Sequence, residues 1–198
     1  LNTGKPSLSF DKDVNGWMIG EGAGSIILKR MDTAKKDKEK IYATIDSIAF
    51  SPTTNAETFA DCAKKALKFA GVKPNQIGLL EVCGSGRESD DKLEIEGMTR
   101  LFSGDKPQCA IGSIKANIGH TFAASGMASL IKTSLCLHHR FIPGVPQWES
   151  PKIELSRGNI FYVPEESRPW LIQPGTPKRY AGISVIGQDQ VCSNVILS

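Results

Sequence analysis

The chain has 198 residues, of which 40% are hydrophobic and 23% charged, and a formal net charge of +3. That is enough for one domain with a sizeable core. The charge is spread out with no basic block, which argues against nucleic acid as a partner, and no apolar run approaches the ~20 residues that span a bilayer.

The five cysteines (Cys62, Cys83, Cys109, Cys136 and Cys192) are odd in number and form no CxxC pair. They read as reduced, buried thiols of a cytoplasmic protein, with neither a disulfide frame nor a metal site. The opening "LNTGKPSLSFDKD" looks like loop from the middle of a protein, so the chain is expected to be a piece of something longer.

In chain order, Gly24–Arg30 ("GSIILKR") reads as a strand after a glycine-rich turn, and Met31–Lys40 as a Lys-rich surface helix or loop. Ile41–Phe50 alternates as a strand. Glu57–Ala70 places Phe59, Cys62, Ala63, Ala66, Leu67 and Ala70 on one face of a helix, which Gly71 ends as a C-cap. Ile77–Val82 is a short buried strand. Ser89–Phe102 is a helix with Asp90 and Asp91 in its first turn, where the dipole favours them. Gln108–Ser113 is a strand. Thr121–His139 is a long helix, apolar almost all round and therefore central and buried. Asn159–Val163 can form a short strand, and Arg179–Ile186 and Val191–Leu197 are two strands joined by a tight turn.

From Ile41 the order is βαβαβαββ, which implies a mixed, largely parallel sheet with helices on both faces. A helix as apolar as Thr121–His139 needs cover on all sides. One sheet does not give that, so a second half is expected to pack against it.

Two segments carry chemistry. "EVCGSG" (81–86) is a small-residue loop at the end of a buried strand. "SIKANIGHTFAASG" (113–126) carries Lys115, Asn117 and His120 between a strand and a helix. His120 near a helix N-terminus is expected to have a lowered pKa and a neutral imidazole. Such an imidazole can donate a hydrogen bond to a developing enolate or oxyanion, with Lys115 as a fixed positive charge. The residues alone serve a second reading equally well: His120 packs at the junction and Lys115 makes a structural ion pair.

These segments resemble the beta-ketoacyl synthases. "SFDKDVNGWMIGEGAGSIILKR" is similar to the ketosynthase pattern PFD-x-x-x-x-G-x-x-x-GEGAG, "LEVCGSG" sits where ketosynthases have EAHGTGT, and "SIKANIGHTFAASG" looks like SxKxNIGHxxxAAG. "YAGISVIGQDQVCSNVIL" aligns without gaps on AGVSSFGFGGTNAHVIL. The resemblance implies an α/β fold, the thiolase-like αβαβα sandwich, of which this chain is chiefly the second half. Residues 1–40 would close the preceding half and connect to a C-terminal half at 41–198, within one structural unit.

In the family a cysteine nucleophile carries the acyl group while two histidines assist decarboxylation of a malonyl thioester, and a lysine supports the histidine geometry. The first histidine aligns with Cys83, and the lysine and second histidine align with Lys115 and His120. Glu94 matches the glutamate that closes the EAHGTGT-x-x-GD-x-x-E pattern, and with Asn117 it is expected to be structural. The gate loop at the acyl pocket matches Ile186, Gly187, Gln188 and Asp189. Nothing implies a directly bound cofactor. The acyl groups would arrive on the phosphopantetheine of an acyl carrier protein, for which Arg87, Lys92 and Arg100 are a candidate landing face or merely a solvated helix surface.

The departures from the pattern are specific. A thiol such as Cys83 is a weak hydrogen-bond donor with a reference pKa of ~8.5, and its thiolate would repel a carbanion. Gln188, Asp189 and Gln190 replace a Phe-Gly-Gly run and restrict the loop's positive-φ conformations. Together they imply a chain-length factor: a ketosynthase-like domain that pairs pseudo-symmetrically with an active ketosynthase in a polyunsaturated fatty acid or polyketide synthase. Two readings stand beside it. One is an atypical but active ketosynthase (an acyltransferase), and the other makes Cys83 itself a nucleophile.

Overall fold

The computed structural model describes residues 6–102, 104, 108–152, 160–172, 174–187 and 189–198. A short helix α1 (Met31–Lys36) precedes strand β1 (Ile45–Pro52) and helix α2 (Ala56–Ala70). Strand β2 (Ile77–Glu81), helix α3 (Glu88–Leu101) and strand β3 (Cys109–Gly112) follow, then a one-turn helix α4 (Lys115–Ile118) and helix α5 (Ser125–His139). Short strands β4 (Phe141–Ile142), β5 (Phe161–Tyr162) and β6 (Arg168–Pro169) lead to β7 (Tyr180–Ile186) and β8 (Val191–Leu197).

Six strands form one sheet in the order β1-β8-β7-β2-β3-β5. The β7–β2–β3–β5 portion is parallel, while β8 runs antiparallel to both β7 and β1. This is the mixed α/β sheet that the alternation of elements implies. Strands β4 and β6 form a separate two-stranded ribbon.

The two faces of the sheet are covered by different helices. In β2, Leu80 faces a core built with Phe59, Ala66 and Met98 of α2 and α3, and its neighbour Leu79 faces Cys136 and Leu137 of α5. That is the period-2 alternation of a strand buried on both sides. Asn55 caps α2 by accepting the Thr58 N–H at 3.0 Å, with the Thr58 hydroxyl returning to the Asn55 N–H. Gly71 ends α2 in the left-handed conformation at φ 67°. Gly97 lets α3 lie close on α2, because a Cβ there would overlap the Phe59 ring.

Several expectations are corrected. Gly24–Arg30 is not a strand: the segment is exposed, with Ile27 97% accessible. A strand needs a neighbour to receive its backbone hydrogen bonds, and among the described residues none lies beside it. Strand β1 starts at Ile45, four residues late, although Thr44 and Ser198 still exchange backbone hydrogen bonds. Helix α5 starts at Ser125, after a 3-10 turn over Phe122–Ala124. As the sequence implies, this sheet alone does not cover it on all sides. Its buried face is Ser125, Ser129, Thr133, Cys136 and Leu137, while Leu135 is 40% exposed. Of the strand expected over 159–163, Phe161–Tyr162 forms, and Asn159 lies outside the described residues. All five cysteines are buried and free. Among the described residues no helix is long and apolar enough to cross a membrane.

Candidate functional site

The site lies where β2 and β3 end. Residues Cys83–Gly86 leave β2 in a loop that needs glycine: Gly84 has φ 50° and Gly86 φ 82°. A side chain at Gly86 would also strike the Gly16 carbonyl. The loop is organised by one carboxylate. Glu94 of α3, 1% exposed, accepts the Cys83 N–H at 2.8 Å, the Gly84 N–H at 2.9 Å and the Ser184 hydroxyl. Burial pushes its pKa up to about 7 against these three hydrogen bonds. Asp91, one turn earlier, accepts the Gly86 N–H at 3.2 Å and the Ser85 hydroxyl at 3.4 Å, and burial raises its pKa too.

Cys83 is held on all sides. Its carbonyl accepts the Lys115 ammonium at 2.7 Å and the Ser113 hydroxyl at 3.4 Å. Its Sγ lies 4.0 Å from the Ile186 carbonyl. Burial pushes the thiol pKa up to about 11 even with Lys115 nearby. The side chain is therefore a neutral thiol near neutral pH.

His120 sits at a junction of two loops. Its backbone bonds with Met18 and Gly20, at 2.8 and 3.1 Å, tie "GHT" to the "MIG" turn. Its Nδ1 accepts the Phe122 N–H at 3.0 Å, so in the neutral ring the proton is on Nε2. The Phe122 ring stacks on it at 5.0 Å and the edge of Trp17 approaches at 6.4 Å. Its pKa is lowered, as the sequence implies, but for a different reason. Burial comes first, then the positive charges of Lys115 and Arg87. Helix α5 itself begins only at Ser125, beyond the 3-10 turn, so His120 does not stand in its first turn.

The β7–β8 turn closes the site. The Gly187 N–H reaches the Val191 carbonyl at 2.8 Å, and the Asp189 carboxylate accepts the Val191 N–H at 3.2 Å. Gln190 takes φ 59°, so a glutamine occupies the left-handed backbone that glycine would favour. Gln188 lies outside the described residues.

The structure thus brings Cys83 into direct contact with Glu94, Lys115 and Ile186, while His120 lines a small cavity together with Gly84 and Lys115. Asn117 is not drawn in: it is exposed, and its N–H closes a turn to the Ile114 carbonyl at 2.9 Å. Arg87, Lys92 and Arg100 are all exposed, and Arg87 pairs with Asp90 at 2.7 Å. A separate apolar groove of about 610 Å³ runs between Gly22–Gly24 and α5, past Ala128, Ile131 and Leu135 to Phe141. Ile186, Gly187 and Asp189 do not line it.

Sequence reasoning missed Glu81. Wholly buried at the end of β2, it pairs with Lys132 of α5 at 2.7 Å and accepts the N–H of Ile114 at 2.6 Å and the Ser129 hydroxyl at 3.3 Å. It therefore fixes the residue just before Lys115. The available signal was a lone charge in an otherwise apolar strand, "IGLLEV".

A mixed sheet with helices on both faces, whose strand ends carry these loops, is the second half of a thiolase-like αβαβα sandwich. The chain belongs to the beta-ketoacyl synthase family, its residues 30–149 matching the beta-ketoacyl synthase C-terminal domain. It is 33% identical over 201 residues to polyketide synthase PksL of Bacillus subtilis, covering 96% of this chain and 4% of that protein. It is likewise 33% identical over 208 residues to a polyunsaturated fatty acid synthase polypeptide of a Thraustochytrium species, covering 98% of this chain and 10% of that protein. Among solved structures, the ketosynthase from module 6 of the Bacillus subtilis bacillaene synthase superposes with a TM-score of 0.89 at 30% identity, covering 98% of this chain and 36% of that one. The chain therefore spans about a third of that ketosynthase and a small fraction of the curated relatives.

Proposed function

We propose that this chain is part of a ketosynthase-like chain-length factor. It would partner an active ketosynthase in a polyunsaturated fatty acid or polyketide synthase and shape the acyl pocket for decarboxylative Claisen condensation without condensing itself. The observation that carries this reading is the buried thiol of Cys83 where the family has an imidazole. With its pKa pushed up to about 11 it is uncharged near neutral pH and a poor hydrogen-bond donor.

The groove of about 610 Å³ left open along α5 supports the reading of this chain as one half of a sandwich that a second half completes. Residues 1–40 are read as the end of the preceding half and 41–198 as the second half. They act as one unit, because Leu8 and Phe10 are buried in the same core as α2 and α3. The acyl groups would come on the phosphopantetheine of an acyl carrier protein, in the cytoplasm.

The test is condensation by the full-length synthase carrying His120→Ala in this domain alone. Near-normal condensation with intact assembly is expected. Abolished condensation with intact assembly would show that this domain is catalytic.

One observation favours the alternative, an active ketosynthase. Lys115 and His120 stand at family positions, and His120 is a neutral donor at Nε2. A cysteine at the nucleophile position of the preceding half, acylated on incubation with an acyl-thioester, would select that reading.

A further inference from the structure

The segment running from Ser7 to Met18 and the loop of Lys115 enclose a cavity of about 20 Å³, distinct from the α5 groove. Ser7, Trp17, Gly84, Lys115 and His120 all line it. The space fits one water molecule. Two of these residues carry buried polar atoms with no hydrogen-bond partner among the described residues: Ser7 Oγ, on a residue 8% exposed, and Trp17 Nε1.

The chemistry of the lining narrows the occupant. The indole only donates, the hydroxyl both donates and accepts, and Lys115 has two ammonium hydrogens left after bonding the Cys83 carbonyl. An apolar group would leave these atoms desolvated and unpaired. A water satisfies them all, since it can accept from Trp17 and Lys115 and donate to Ser7. Ser9 Oγ, also on the lining, is a third buried polar atom without a hydrogen-bond partner among the described residues, near enough to Asp91 to favour its carboxylate form. Ser9 stands where the ketosynthase pattern has proline, which carries no hydroxyl.

We propose that this cavity is a hydration site holding one ordered water between Ser7 Oγ and Trp17 Nε1, beside the Lys115 ammonium. The water gives Lys115 a second anchor besides the Cys83 carbonyl. It also ties the "SLSFDKDVNGWM" segment to the loop of Lys115 and His120. This role does not depend on whether the domain condenses.

The experiment is a high-resolution crystal structure of the full-length protein and of its Trp17→Phe variant, with a bromide soak of each. The expected result is a solvent peak within about 2.7–3.2 Å of both Ser7 Oγ and Trp17 Nε1. It should carry no anomalous signal and should be lost or weakened in Trp17→Phe. Should that variant fail to fold, Ser7→Ala is read for the same loss. An empty cavity, a Ser7 hydroxyl turned onto a protein carbonyl, a peak unchanged in the variant, or bromide at the position would each overturn the proposal.

Discussion

The Lys115 ammonium donates to the carbonyl oxygen of Cys83 at 2.7 Å. The charge of one loop is thereby fixed to the backbone of the other, at the residue whose side chain departs from the family pattern. The contact uses only the main chain of residue 83, so it does not depend on which side chain stands there. A scaffold can therefore keep its lysine and its loop geometry after the imidazole has gone.

Cys83 should be chemically quiet. Its thiol is 4% exposed and its pKa is pushed up to about 11, so both access and thiolate fraction are small near pH 7. Incubation of the native protein with iodoacetamide at neutral pH should leave Cys83 unmodified in a peptide map, and the denatured protein should label fully. A stoichiometric native adduct at Cys83 would revive the reading of this residue as a nucleophile.

Glu94 should make stability fall as pH rises. Its folded pKa is raised from 4.5 to about 7, so the folded state holds a proton that the unfolded chain releases. Its contribution is fully present below about pH 4.5 and declines through about pH 7. Urea titrations of the wild type and Glu94→Gln at pH 5 and pH 7.5 isolate it. The wild type should lose more stability between the two pH values than the variant. Equal losses would mean that the carboxyl is already ionised at pH 5.

Glu81 and Lys132 should behave as a coupled pair. The carboxylate is wholly buried and the lysine side chain 13% exposed, so removing one partner strands a charge in the core. Lys132→Met or Glu81→Gln alone should cost about 3–5 kcal/mol. The double variant should cost clearly less than the sum, because no uncompensated charge remains. Urea midpoints for the four proteins measure this, and additive costs would mean that the pair is not coupled.

How far the sequence disclosed this arrangement depends on how local each cause is. Helix α2 is legible from the spacing of Phe59, Cys62, Ala66 and Leu67 and from the Gly71 cap, all within one segment. The end of β2 and the turn glycines are legible for the same reason. Gly24–Arg30 is misread because its apolar run has strand character, but pairing is decided by a neighbour that the run itself does not specify. The lowered pKa of His120 is read with the right sign and the wrong cause, because the start of α5 shifts to Ser125 while Lys115 and Arg87 come near only on folding. Glu81 is missed because its partners are 33, 48 and 51 residues away in the chain.

Gln190 offers the last test, since it holds a backbone conformation better suited to the glycine of the family pattern. At φ 59° a side chain costs roughly 1–2 kcal/mol. Glycine removes that cost but adds roughly 0.5–1 kcal/mol of unfolded-chain entropy. Gln190→Gly should therefore stabilise the protein by up to about 1.5 kcal/mol. A higher urea midpoint with an unchanged slope is the expected reading. The substitution should leave the Gln190 N–H contact with the Gly187 carbonyl, now 3.1 Å, in place, because only the side chain changes. A lower midpoint would mean that the glutamine side chain makes a contact worth more than the backbone strain it carries.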